Sequence, residues 1–204
     1  MKQKKITMLA VVMLIVSMFM NGCASVQMTA TELEAKLKGL EVTIRTFDEE
    51  SQVIDKINGK SAMIERDTTF DTKNSEGSNK DSSVVKITIG KNEMRHVDSS
   101  LILAETGMYD VFDEYSKTVD ITNQERGVPM LNSMVNSFKN ITSGKAKTIL
   151  IRSQNGKPLA TYVGDSVSVF SVDIPKTTAF LVDGKILIVY RCDYTVYDTA
   201  LLLE

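Results

Sequence analysis

Between Thr148 and Tyr194 the chain is a series of short apolar runs separated by breaks of at most six residues, each marked by a turn signal of one or two residues. The runs are Thr148–Arg152, Leu159–Val163, Ser166–Val172, Thr178–Val182 and Lys185–Tyr194. The breaks are Asn155-Gly156, Gly164-Asp165, Pro175 and Asp183-Gly184. A helix needs ten or more residues to bury a stripe, so this spacing predicts strands, and connections this short predict antiparallel neighbours.

The same period of two governs the first half. Leu40, Val42 and Ile44 alternate with Glu41, Thr43 and Arg45, the pattern of a half-buried strand. Gln52–Ile57 and Ser61–Arg66 read as two further strands, with Asn58-Gly59 between them as a hairpin turn because both residues tolerate positive φ. Asp67 to Ser82 is polar and aperiodic and reads as a solvated loop. Its oxygen side chains do not fall at calcium-loop spacing. Strands resume at Ser83–Ile89, Glu93–Val97 and Leu101–Ala104.

Helical spacing appears in three places. Thr29 or Thr31 opens a short helix to about Lys38, with Glu32 and Glu34 as capping-box partners. Met108, Val111, Phe112 and Tyr115 form an i, i+3, i+4, i+7 stripe. Pro129 starts a helix to about Asn140 whose apolar face carries Met134, Val135 and Phe138. The expected fold is therefore α+β and β-dominated. It has two similar antiparallel β-meander or small-barrel-like units, residues 40–104 and 147–204, joined by a helical connector at 105–146. A weak internal echo supports the pairing: Ile44-Arg45 with Ile151-Arg152, Gly59-Lys60-Ser61 with Gly164-Asp165-Ser166, and Gly90-Lys91 with Gly184-Lys185.

The amino terminus carries an address. Lys2, Lys4 and Lys5 precede an uncharged apolar run, Ile6 to Phe19, and then Met20-Asn21-Gly22-Cys23. This is the layout of a lipoprotein signal peptide over residues 1–22, with Cys23 as the lipidated first residue and 23–39 as tether and short helix. Of the 204 residues, 182 would remain, and losing three lysines and no acids moves the formal charge from −2 to −5. A mildly acidic chain argues against a nucleic-acid partner. The expected location is the extracytoplasmic face of the cell membrane. With Cys23 acylated, Cys192 has no cysteine partner, so the fold must rest on its apolar cores.

The runs IRSQNGKPLATYVGD (Ile151 to Asp165), VDIPKTT (Val172 to Thr178), DGKILIVYRCDYTVYD (Asp183 to Asp198) and DSSVVKITIGKNEMRHVDSSLILAE (Asp81 to Glu105) resemble a family of small Gram-positive surface lipoproteins classed as a domain of unknown function. The resemblance spans nearly the whole mature chain. It implies a lipid-anchored module and brings no catalytic residue with it.

Candidate chemistry is sparse. Cys192 and the only histidine, His96, with Asp193 as an orienting acid, are the one set that thiol catalysis could use. Cys192 lies in a strand pattern, whereas reactive thiols favour helix N-termini and electropositive clefts. One histidine and one remaining cysteine fall short of a zinc site, and no phosphate-binding loop or nucleophile elbow is present. No cofactor is expected. The residues expected to bind a partner are Arg152, Gln154, Asn155, Lys157 and Tyr197, where arginine, tyrosine and amides gather around a turn. The reading is a binding module without chemistry that meets an envelope protein or ligand. The alternative is an envelope hydrolase or thiol enzyme using Cys192, His96 and an acid.

Overall fold

A computed structural model describes residues 26–73, 77, 79–118, 128–137 and 144–202. Cys23 and the signal segment lie outside the described residues, as do Phe138 to Asn140. In chain order the elements are β1 (Val26–Met28), α1 (Ala30–Leu37), β2 (Glu41–Phe47), β3 (Val53–Lys60), β4 (Ala62–Arg66), β5 (Thr72–Lys73), β6 (Asn79–Lys80), β7 (Val85–Ile89), β8 (Asn92–His96) and β9 (Ser100–Glu105). Then come α2 (Val111–Thr118), α3 (Val128–Ser137), β10 (Lys147–Arg152), β11 (Pro158–Gly164), β12 (Val167–Val172), β13 (Thr177–Val182), β14 (Lys185–Tyr190) and β15 (Asp193–Asp198). Short 3-10 turns follow β4 and β15.

A seven-stranded sheet in the order β1-β12-β13-β14-β9-β2-β3 runs through the middle. Its central strands are apolar along their length: Leu101, Ile102, Leu103 and Ile186 to Tyr190 are all buried. Such runs belong to strands covered on both faces. On one face Val42, Ile44, Leu101, Leu103 and Ile188 pack on the three-stranded sheet β4-β7-β8 and on Leu33 and Leu37 of α1. On the other, Ile102, Phe180, Leu187 and Val189 pack on Ile149, Ile151 and Tyr162 of the sheet β11-β10-β15. The outer side of that sheet, through Leu150, is covered by Val111, Tyr115, Leu131, Met134 and Val135 of α2 and α3, with Leu202 beside them. The result is four layers, β/β/β/α.

Each half of the chain contributes two three-stranded groups in matching order, one within the central sheet and one as a separate sheet. Residues 41–105 form β9-β2-β3 and β4-β7-β8; residues 147–198 form β15-β10-β11 and β12-β13-β14. Local details correspond as well. A register shift sits between Thr46 and Phe47 in β2 and between Ile151 and Arg152 in β10. In the turn after β2, Asp48 N donates to Gln52 O and Ser51 N to Asp48 O; after β10, Ser153 N donates to Lys157 O and Gly156 N to Ser153 O. The side chain of each turn's first residue accepts from the last, Gln52 N to Asp48 Oδ1 and Lys157 N to Ser153 Oγ. Ser51 and Gly156 both have positive φ, and so do Asp98 and Arg191 at the corners before β9 and β15. Gly59 lies against Ile89, and Gly164 against Val182. Thr106 N donates to Glu41 O as Thr199 N does to Ala146 O.

Several expectations need correction. Among the described residues no sheet closes into a barrel, and the two halves share the central sheet through β9–β14 pairing. Asn58-Gly59 is not a turn: both residues sit inside β3, paired with Thr43 and Val42. The glycine is there because a side chain would overlap Ile89, and Thr43 Oγ1 bonds Asn58 Oδ1 at 2.8 Å. The change of direction comes at Ser61, φ 57°, which sends the chain into another sheet. Lys185–Tyr194 is likewise two strands, because Arg191, φ 50°, turns the chain from β14 into β15. The matching register also moves two of the sequence echoes: Phe47, not Arg45, corresponds to Arg152, and Gly90 corresponds to Asp183. Part of the segment expected to be a tether is a strand: Val26–Met28 pairs parallel with β12, and Met28 is buried. The N-terminal helix carries the expected box, with Thr29 and Glu32 satisfying each other's backbone N–H.

Candidate binding cleft

The two equivalent turns, 48–52 and 153–157, meet at one end of the molecule. Their sequences differ so that the contact is complementary. The first is Asp48-Glu49-Glu50-Ser51-Gln52; the second replaces its acids with Ser153, Gln154 and Asn155 and ends in Lys157. Asn155 Nδ2 donates to Glu49 O at 2.5 Å, and Lys157 pairs with Glu50. The corner residues pair too: Arg191 Nη1 lies 3.1 Å from Asp98 Oδ1, and Nη2 donates to Gln154 Oε1 at 3.2 Å.

Arg191 is held in its left-handed conformation by its backbone. Its N–H donates to Lys176 O, and its carbonyl accepts from Ser100 Oγ. A non-glycine residue there stores strain that the surroundings must offset. Its guanidinium and Gln154 form the wall between two open cavities. One, of about 600 Å³, is bounded by Asp48, Glu49, Ile54, Ser99 and Asn155. The other, of about 570 Å³, is bounded by Asp173, Lys176, Thr177, Cys192 and Asp193. Arg191 Nε is buried and has no hydrogen-bond partner among the described residues. An unsatisfied buried donor costs free energy that an acceptor supplied by a ligand would recover.

The residues expected to bind a partner separate into three groups. Gln154 and Asn155 line the 600 Å³ cavity. Lys157 is taken up by Glu50. Arg152 and Tyr197 lie elsewhere: Arg152 Nη2 donates to Thr195 Oγ1 within the sheet, and Tyr197 packs on the helical layer.

Cys192 and His96 are not brought together. The Cys192 thiol donates to Tyr190 O and Leu101 O and packs with the cluster between the central sheet and β11-β10-β15. Burial pushes its pKa up to about 12, against the lowering effect of hydrogen bonds to Ser100 and Leu101. His96 stands edge-on to Tyr190, whose ring belongs to the cluster on the opposite face of the central sheet, and its Nε2 bonds Ser99 O at 2.8 Å. Asp193 opens β15 and is exposed. Among the described residues, no group of three His, Cys, Asp or Glu could hold a metal. In the acidic loop, Asp67 bonds Thr69 N and Arg95 Nε, which together hold its carboxyl below the usual range.

A second polar centre was missed in the sequence. Arg45, Asp110 and Tyr162 meet between β2, β11 and the start of α2. Arg45 Nη2 donates to Asp110 Oδ2 at 2.8 Å and to Tyr162 Oη at 3.0 Å. Asp110 Oδ1 also accepts from Phe112 N, Asp113 N and Thr161 N, so one carboxylate caps α2 and ties it to both halves of the chain. Burial raises its pKa, while Arg45 and the amide donors lower it. With every oxygen satisfied, the cluster is built to hold layers together. The available signal was an aspartate just ahead of a helical stripe, the preferred residue type for an N-cap.

These features define a layered, β-rich α+β protein with a cleft where the turns 48–52 and 153–157 meet. The chain belongs to the family described as "Domain of unknown function (DUF5052)", whose model matches residues 4–202. No curated protein and no solved structure matches it.

Proposed function

We propose that this protein is a lipid-anchored, extracytoplasmic binding module made of two copies of one six-stranded unit, and that it binds through the cleft where the two copies' first turns meet. The observation that carries the proposal is the Arg191 wall. A half-buried arginine in the left-handed conformation, its Nε without a hydrogen-bond partner among the described residues, lines two adjoining open cavities. The duplication rests on matched sheet orders, turn hydrogen bonds, register shifts and positive-φ positions. The anchor rests on Cys23 and the segment before it. A thiol enzyme draws no support from a half-buried, weakly acidic Cys192 on the far side of the sheet from the His96–Tyr190 contact.

The test is photocrosslinking in intact membranes, with the photoreactive residue at Ile54 or Gln154 in the cleft and at Lys86 on the outer face of β7 as control. The proposal expects one discrete adduct from the cleft positions and none from Lys86. Equal labelling from all three positions, or none from any, contradicts it.

A further inference from the structure

The duplication gives β15 a counterpart in β9, and the two differ in one respect: β9 has a neighbour on each side, whereas β15 has only β10 among the described residues. The strand on the far side of β9 is β14, paired antiparallel with Leu101↔Tyr190, Ile102↔Val189, Leu103↔Ile188 and Ala104↔Leu187. The shared register, Phe47↔Ser100 and Arg152↔Asp193, places Tyr194, Thr195, Val196 and Tyr197 at the positions of Leu101 to Ala104. The bonds from Thr106 N to Glu41 O and from Thr199 N to Ala146 O set the same phase in both ladders. Antiparallel alternation then turns the N–H and C=O groups of Tyr194 and Val196 outward, as it turns those of Leu101 and Leu103 toward β14.

Open edges are normally blunted by charge, shortness or cover. β8 carries Glu93 and Arg95, β3 carries Asp55 and Lys56, and β4 ends in Glu65 and Arg66. β1 is three residues long, β5 and β6 are two each, and β11 is buried along almost its whole length. β15 carries charge only at its two ends, Asp193 and Asp198, and none between them. It presents Tyr-Thr-Val-Tyr, with Tyr194 36% exposed and edge-on to Phe180. The 570 Å³ cavity opens beside its first residue, lined by Ile174, Thr177, Cys192 and Asp193.

We infer that the β15 edge is a docking site for an extended strand of a partner polypeptide, added antiparallel and apolar at alternate positions, as β14 is added to β9. The inference rests on the binding-module reading and gives that module a partner chemistry: main-chain hydrogen bonds at Tyr194 and Val196 supply affinity, and the pocket beside Asp193 selects a side chain.

The probe is a labelled, end-blocked peptide with the sequence of residues 185–191, titrated against the mature chain from residue 23 and read by fluorescence anisotropy. Saturable binding is expected. Val196→Pro, which removes one outward N–H at an edge position that tolerates proline, should weaken it by roughly tenfold or more with unchanged far-UV circular dichroism. The peptide N-methylated at the residue matching Ile188 should lose binding to the unaltered protein by a similar factor, which covers the case of a variant that fails to fold. No binding to the wild type, or binding indifferent to both changes, overturns the inference. Self-association of the wild type that Val196→Pro abolishes also overturns it, because the edge would then serve a second copy. If the peptide fails while cleft crosslinks persist, only the edge assignment falls. If the peptide binds while cleft crosslinks are absent, the cleft reading falls and the edge stands.

Discussion

Replacing Asp110 with alanine should be the most damaging single polar substitution in the described structure. The side chains of Asp110 and Arg45 are only 10% and 14% exposed, and among the described residues their 2.8 Å contact is the sole ion pair of either. Removing the carboxylate leaves the largely covered Arg45 guanidinium with Tyr162 Oη as its hydrogen-bond partner and the Phe47 ring beneath it, and with no counter-charge. It also leaves Thr161 N without the acceptor that Asp110 provides, and takes the cap from α2. Breaking a buried pair from one side costs about 3–5 kcal/mol, and a lost N-cap costs about 1 kcal/mol. The two overlap, so we expect about 3–5 kcal/mol in all. For a chain of this length that corresponds to a fall in Tm of roughly 6–20 °C. Urea unfolding of the chain lacking residues 1–22, followed by circular dichroism, measures it. Arg45→Met in the Asp110→Ala background should recover part of the loss, because the stranded charge is then gone. A loss below about 1 kcal/mol, or a double variant no better than Asp110→Ala alone, would refute the view that this carboxylate ties the layers together.

Gly59→Ala and Gly164→Ala should each destabilise the fold by about 1–3 kcal/mol through overlap with Ile89 and Val182; Ile89→Ala should relieve the first and leave the second unchanged in thermal melts. The Cys192 thiol should react with iodoacetamide at pH 8 on the order of a thousandfold more slowly in the folded protein than in urea, because burial pushes its pKa up to about 12 against about 8.5 for a free thiol; equal rates would contradict its placement. Asp67 has a folded pKa below its unfolded value, so its stabilising effect is fully present above about pH 3.9 and is lost as pH falls through the folded value. The Tm gap between wild type and Asp67→Asn should therefore be constant near neutrality and close only in strong acid.

The strands were legible because the period of two is a local property of the chain. Their partners were not. Asn58-Gly59 carries the residues of a hairpin turn, and only the approach of Ile89, distant in sequence, reveals why a glycine stands inside a strand. Arg191 reads as one residue of a long strand, because a left-handed conformation leaves no mark on a side chain type that seldom adopts it. The cleft was half visible: Gln154 and Asn155 were singled out from composition, yet Lys157 is used up by Glu50. Asp110 was passed over because its meaning depends on Arg45 and Thr161, which lie 65 and 51 residues away.

Attachment to a membrane through Cys23 is tested directly by one measurement. The intact mass of the protein extracted from membranes with detergent should match residues 23–204 carrying a diacylglyceryl group on Cys23, and Cys23→Ala should abolish the added mass and shift the protein to unprocessed precursor or to the soluble fraction. A wild-type mass equal to the unmodified chain, or a Cys23→Ala variant that partitions and weighs as the wild type does apart from the substitution, would contradict the account.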